Sequence, residues 1–142
     1  MSNLLSIIVS AVFVVLGVWH FHMALNHTSG ESGAVPSVAG KPLFVPSKLM
    51  TVAVGVVLLL FAALVVATAG MLSIGLSPWL LVLLSYALAL GLLARAVGEF
   101  KYVGFFKRVR GSRFATLDSY VFSPLCLLLA IGVALVARYH GA

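Results

Sequence analysis

The sequence predicts an all-α, polytopic membrane protein, a four-transmembrane-helix bundle with both termini extracytoplasmic. Of its 142 residues, 63% are hydrophobic and 8% are charged, whereas a soluble domain carries about 25% charged residues. Four apolar stretches of ~20 residues each match the length that crosses ~30 Å of hydrocarbon. They show no sustained alternation of apolar and polar residues, which favours helices over an outer-membrane barrel. We therefore expect a single membrane domain over residues 1–142.

The four predicted helices take their bounds from the ends of the apolar stretches: about 4–25, 49–72, 78–98 and 119–138. The first stretch lacks the basic start and the small-residue cleavage site of a secretory signal, so we expect it to be retained as a helix. The third begins with Ser77 as N-cap and Pro78 at the first helical position, a pair typical of a helix start.

Two starts are open for the fourth helix. Asp118 can cap a helix beginning "SYVF", with a kink at Pro124, which lacks a backbone donor. Alternatively, Ser123 and Pro124 form the start, and residues 114–122 form an interfacial segment. We favour the start near Asp118.

The connection over residues 26–48 is long for a compact protein, and long connections are often functional. Its prolines and glycines argue against a helix. It is either a passive linker or a small hairpin-like flap whose Val38, Leu43 and Phe44 dip into the interface. As a flap it would act as a lid over one end of the bundle.

Basic residues fall mainly in two connections, 26–48 and 99–118, which lie on the same side of a four-helix chain. The positive-inside rule places these loops in the cytoplasm and both termini outside, in a bacterial inner (cytoplasmic) membrane. The pI near 10.0 therefore reflects membrane orientation rather than nucleic-acid binding. We expect anionic lipid headgroups to bind the basic residues of the second connection, Lys101, Lys107, Arg108, Arg110 and Arg113.

The sequence predicts no metal site and no cofactor. Cys126 is the single cysteine, which excludes an internal disulfide and a thiolate metal cluster. His20 and His22 are two residues apart, so on a helix they point in nearly opposite directions rather than gripping one ion. Nucleotide-binding, haem-attachment and nucleophile-elbow motifs are all missing from the sequence.

Polar residues collect at the cytoplasmic ends of the predicted helices, and intramembrane polar groups are functional hypotheses by default. Arg95 and Glu99 are four residues apart, so we expect them to pair on one helix face, with Asp118 as a second carboxylate. Gly91 and Gly98 should permit close approach of another helix. We expect His20 to hydrogen-bond Glu99, Asp118 or a tyrosine. The predicted catalytic residues are His20, Glu99 and Asp118, and the predicted ligand-binding residues are His20, His22, Asn26, Arg95, Glu99, Tyr102, Asp118 and Tyr120.

Three segments resemble a family of small bacterial four-helix inner-membrane proteins that is catalogued as a domain of unknown function. They are the histidine of the first helix, His20, the connection "VPSVAGKPLFVPS", and "RAVGEFKYVGFFKRVRGSRFATLDSYVFSPLCLLL". The chain departs from the family's aromatic residues near His22 and Met23. The resemblance implies the four-helix architecture and no particular activity.

The leading functional hypothesis is a polar pocket at the cytoplasmic end of the bundle that binds a lipophilic or amphipathic small molecule, lipid or quinone-like. One alternative is a small membrane enzyme that uses histidine and carboxylate acid–base chemistry on such a molecule, as an isomerase does. Another is a structural or accessory subunit, with a second copy or another membrane protein as its partner. A wide, lined cavity separates the first two hypotheses from the third.

Overall fold

The computed structural model describes residues 2–26 and 35–141 of the chain. Its four long helices are α1 (Ser2–Asn26), α2 (Lys48–Thr68), α3 (Pro78–Val97) and α5 (Ser123–His140). A short helix, α4 (Arg113–Leu117), and a π-helical turn (Asp118–Phe122) lead directly into α5. Two-residue strands β1 (Ser37–Val38) and β2 (Lys41–Pro42) form an antiparallel hairpin between α1 and α2.

Four helical segments in the described part of the chain are long and apolar enough to cross a membrane. The fourth is continuous through α4, the π-helical turn and α5, and spans Arg113–His140. The outer surfaces of these helices expose large apolar side chains such as Leu4, Leu60 and Leu128, which lipid rather than water can solvate. The predicted all-helical membrane architecture is confirmed at this level, and the four helices indicate a multi-pass membrane protein.

The helices associate as two pairs. α1 packs along α2 and α3 packs along α5, whereas the contact between α2 and α3 is narrow. Phe13, Val65 and Val133 are fully buried where the pairs meet. A buried hydrogen bond of 2.9 Å between the hydroxyls of Thr68 and Ser85 joins α2 to α3 close to the connection between them. The pairs are therefore fastened near this connection and less closely packed elsewhere between α2 and α3.

α2 ends at Thr68, four residues before its predicted end. Gly70 takes a left-handed conformation (φ 73°) and donates to Ala67 O at 2.9 Å, and Met71 N donates to Val66 O at 3.1 Å. These two bonds form a Schellman motif, which stops a helix even within an apolar run. The hydropathy pattern therefore overestimated the length of α2.

The last helical segment begins at Arg113, so our prediction of a helix start capped by Asp118 is wrong. Ser112 is the N-cap, and its hydroxyl accepts from Ala115 N at 3.0 Å. The predicted irregularity near Pro124 is present as the π-helical turn, in which Ser123 N donates to Asp118 O, five residues earlier. The alternative start at Ser123 coincides with the first residue of α5.

The hairpin alternative for the 26–48 connection is confirmed over its described part. Ser37 pairs with Pro42 and Val38 with Lys41, and Leu43 N donates to Pro36 O at 2.9 Å. Ala39 and Gly40, both at positive φ, form the turn between the strands. This hairpin lies between the ends of α1 and α2.

Candidate functional site

The carboxylate of Asp118 is the centre of a buried group of charges where α3, the 98–112 connection and the π-helical turn meet. Asp118 is 0% exposed. Its Oδ1 accepts from Arg95 Nη2 at 2.8 Å and from Ser123 Oγ at 3.3 Å. Its Oδ2 accepts from Gly104 N at 2.7 Å and from Lys107 Nζ at 3.0 Å. The predicted contact between Arg95 and Asp118 is therefore present, and we call Arg95, Lys107 and Asp118 the ion cluster.

Lys107 belongs to this interior rather than to the membrane surface. Its side chain is 0% exposed. Its ammonium donates to Gly104 O at 3.0 Å, Asp118 Oδ2 at 3.0 Å and Ser119 Oγ at 2.7 Å, so all three of its protons have acceptors. We correct the prediction that Lys107 binds lipid headgroups, because the Lys107 side chain is buried and its charge is paired with Asp118. The other four basic residues of that connection, Lys101, Arg108, Arg110 and Arg113, are exposed.

Two glycines let the connection fold back onto the end of α3. Gly98 (φ 84°) and Gly104 (φ 91°) lie very close to each other. A Cβ on either glycine would collide with the backbone around the other. Phe105 N donates to Ala96 O at 2.9 Å and fixes this crossing. The crossing places Gly104 N against Asp118, so glycine at these two positions is what allows the ion cluster to close.

Arg95 is the incompletely paired member of the ion cluster. Nη2 bonds Asp118, but Nη1 is enclosed and has no acceptor among the described residues. The side chain as a whole is 34% exposed, unlike those of its two partners. The cluster contains two cations and one carboxylate, so it carries one net positive charge.

The predicted pair of Arg95 and Glu99 does not form. α3 ends at Val97, and Gly98 turns the chain out of the helix, so the four-residue spacing no longer places the two side chains on one face. Glu99 is exposed, and its Oε1 accepts from Tyr102 N at 2.7 Å. The Tyr102 ring lies beneath the Lys101 ammonium, 4.9 Å from its centroid. Glu99 and Tyr102 thus shape the connection and make no bond to the ion cluster.

His20 lines a separate, smaller cavity of about 270 Å³, bordered by residues on either side of the hairpin. Its Nδ1 donates to Leu16 O at 2.7 Å, within its own helix, and not to Glu99, Asp118 or a tyrosine as predicted. Val35, Phe44 and Pro46 of the connection lie on this cavity opposite the α1 and α2 residues. The described part of the 26–48 connection thus borders the His20 cavity through Val35, Phe44 and Pro46, and its role as a lid stays a prediction.

Three other predicted binding residues lie on exposed surface. Asn26 Nδ2 donates to His22 O at 2.9 Å, and the His22 ring lies 5.8 Å from that of Trp19. Tyr120 is 80% exposed on the π-helical turn. The eight predicted binding residues are thus divided among the ion cluster, the His20 cavity and the outer surface, and they do not line one pocket.

One further cavity was not predicted. It is an open apolar crevice of about 890 Å³ between α2 and α3, which we call the α2–α3 crevice. Small residues on both sides make room for it, namely Ala63, Ala87 and Gly91. A Cβ on Gly91 would meet nothing within 4 Å, so the predicted close approach of a helix at Gly91 is wrong. The other residues that line the α2–α3 crevice are Leu60, Phe61, Leu64, Ile74, Leu76, Leu84, Leu88 and Leu92.

The described residues do not gather the predicted catalytic groups. His20, Glu99 and Asp118 have no hydrogen-bond partner in common. Both oxygens of Asp118 accept from donors, three of which come from Arg95, Lys107 and Gly104. Within residues 2–26 and 35–141, no group of three His, Cys, Asp or Glu side chains could hold a metal ion. The arrangement is suited to holding a connection in place and to binding apolar molecules.

Comparison with known proteins gives one match. A sequence model of the family described as "Protein of unknown function (DUF3995)" matches residues 13–133. No curated protein and no solved structure matches the chain. The matched segment includes all four long helices in whole or in part, the hairpin and the ion cluster.

Proposed function

The chain belongs to the DUF3995 family of proteins of unknown function, and from its own site we propose that it binds a lipophilic or amphipathic small molecule within the membrane. The observation that supports this proposal is the α2–α3 crevice. Its volume, about 890 Å³, lies within the ~300–1,000 Å³ typical of ligand sites, whereas the His20 cavity is smaller than most. Apolar side chains and an opening between two helices suit a molecule that enters from the lipid, such as a single acyl chain or a quinone tail.

Binding is favoured over acid–base catalysis by the state of the ionisable groups. The carboxylate of Asp118 already accepts four hydrogen bonds, and Glu99 lies outside the helices. A general acid or base needs a reacting atom within about 2.6–3.2 Å, and the crevice-lining residues carry no ionisable side chain. The enzyme hypothesis therefore receives less support than the binding hypothesis.

Filling the α2–α3 crevice should weaken ligand binding. We expect Ala87→Leu to lower the affinity for hexadecanol about fivefold or more, because overpacking costs about 1–3 kcal/mol. The measurement is the bound fraction in native mass spectrometry of detergent-purified protein titrated with hexadecanol.

Ala94→Leu is the matched control, since Ala94 is also exposed on α3 but does not line the crevice. It should bind hexadecanol like the wild type. Equal binding by wild type and Ala87→Leu would show that the ligand binds outside the crevice. No binding by the wild type would refute the proposed function.

We place the protein in a bacterial inner membrane with the hairpin and the 98–112 connection in the cytoplasm and both termini outside. The support is the charge distribution: Lys101, Arg108, Arg110 and Arg113 are exposed on one connection, whereas the 69–77 connection has no basic residue. At about 1 kcal/mol each, these four cations would also attract anionic lipid headgroups.

Reporter fusions in a bacterial host test this orientation. Alkaline phosphatase depends on disulfides and is inactive in the reducing cytoplasm. We expect it to be active when fused after Gly75 and inactive when fused after Gly111. A fluorescent reporter that matures in the cytoplasm should give the opposite pattern. Activity after Gly111 and not after Gly75 would reverse the topology.

A further inference from the structure

We propose that the ligand of the α2–α3 crevice is a single-chain monoanion, a long-chain carboxylate whose head binds Arg95. The inference rests on the proposed function and adds the chemical class of the ligand. It follows from the position of Arg95 relative to the crevice, from the charge of the ion cluster, and from the extent of the apolar lining.

Arg95 stands at one end of the crevice. Gly91 and Leu92 line it, and Arg95 follows them by four and three residues on α3, so all three share one helix face. The Arg95 guanidinium bonds Asp118 through Nη2, and about a third of the side chain (34%) stays exposed. The only cation on this face is therefore adjacent to the end of an otherwise apolar cleft.

The ion cluster carries one positive charge that no described residue compensates. Asp118 neutralises one of two cations, and its other donors, Gly104 N and Ser123 Oγ, are uncharged. Glu99 is exposed and bonded to Tyr102 N, so within the described residues it does not supply the missing charge. An uncompensated charge beside hydrocarbon is costly. A monoanion would bring the cluster to neutrality, whereas a phosphate monoester, with about −1.5 to −2 charges, would exceed it.

Arg95 retains donors for such an anion. Only Nη2 is bonded; Nη1 is enclosed and has no acceptor among the described residues, so an anion binds it only after the partly exposed (34%) side chain moves. A guanidinium binds carboxylates well because its N–H groups match their two oxygens. Lys107 offers nothing comparable, since its three protons are used.

The apolar lining of the crevice extends from the Arg95 end of α3 toward the preceding connection. Its α3 residues run from Leu84 to Leu92, about 12 Å of helix rise. Ile74 and Leu76 continue the lining before α3 begins. A carboxylate at Arg95 would thus place its chain along the apolar lining, toward the 69–77 connection.

The experiment compares three C16 probes, palmitate, hexadecanol and hexadecyl phosphate, by native mass spectrometry at about pH 8.5, well above the ordinary carboxylate pKa of about 4.3. We expect wild-type protein to prefer palmitate over hexadecanol by about tenfold or more. Arg95→Gln should abolish this preference by lowering palmitate binding to the level of hexadecanol binding, and its free energy of unfolding in detergent shows whether the variant is folded. Arg95→Lys should keep much of the preference.

The outcomes separate the two proposals. Equal binding of palmitate and hexadecanol to the wild type overturns the inference and leaves the proposed function standing. Tighter binding of hexadecyl phosphate than of palmitate overturns the monoanion assignment, and a preference that survives Arg95→Gln overturns the role of Arg95. If Arg95→Gln does not fold, the probe comparison on wild type and Arg95→Lys still decides between carboxylate and alcohol. Binding of none of the probes refutes both proposals.

Discussion

Asp118→Asn should destabilise the protein by about 3–5 kcal/mol, because it leaves Arg95 and the buried Lys107 facing each other without their carboxylate. The substitution preserves shape but replaces one acceptor oxygen with a donor amide, so the loss reports the charge and hydrogen bonding of Asp118 rather than packing. The measurement is the free energy of unfolding in detergent by a denaturant titration.

Lys107→Met is the matched partner in a double-mutant cycle. Alone it leaves a neutral pair of Arg95 and Asp118, and we expect a smaller loss than for Asp118→Asn. The double variant keeps only Arg95, which is partly exposed and can be hydrated, so it should be more stable than Asp118→Asn alone. Additive effects of the two substitutions would show that the charges do not interact.

Gly104→Ala should cost several kcal/mol and release the 98–112 connection from α3. A Cβ at this position would collide with the Val97 carbonyl and with Gly98 Cα, and φ is 91°. Gly104 N would then move away from Asp118 and open the ion cluster. Stability is measured as above, and trypsin cleavage at the exposed Lys101, Arg108 and Arg110 reports the connection directly.

Gly111→Ala separates the collision from the backbone conformation. Gly111 has φ 94°, nearly the same as Gly104, but a Cβ there would meet nothing within 4 Å. We expect Gly111→Ala to lower the free energy of unfolding by only about 1–2 kcal/mol, the cost of a left-handed alanine. The trypsin pattern should stay unchanged. Equal effects of the two substitutions would mean that the close approach to Gly98 contributes nothing.

The helices were predictable from sequence because the bilayer fixes their length and composition. The end of α2 was predicted too late because Gly70 takes a left-handed conformation that stops a helix which hydropathy would continue. The end of α3 was predicted within one residue, but the pairing of Arg95 with Glu99 assumed helical geometry beyond Gly98. A glycine near each predicted end was the available signal.

Only part of the ion cluster was predictable from the sequence. Arg95 and Asp118 were placed together because both fall at one end of the helices, but Lys107 looks in the sequence like its neighbours Arg108 and Arg110. Its burial depends on the crossing at Gly98 and Gly104, a contact between residues six apart that no periodicity reveals. The α2–α3 crevice depends on how two helix pairs are set against each other, and of this only the small residues Ala63, Ala87 and Gly91 were visible beforehand.

The burial of Lys107 against Asp118 has a consequence for the biogenesis of the protein. A chain is synthesised from its N-terminus, so Lys107 leaves the ribosome before Asp118, which follows it by 11 residues. In the proposed orientation, Lys107 would be an unpaired cation during insertion and would help retain its connection in the cytoplasm until the fourth span brings Asp118 to it. One residue would serve first as a topological signal and then as an interior anchor. Asp118→Asn should accordingly leave the reporter pattern at Gly75 and Gly111 unchanged while it weakens the folded state.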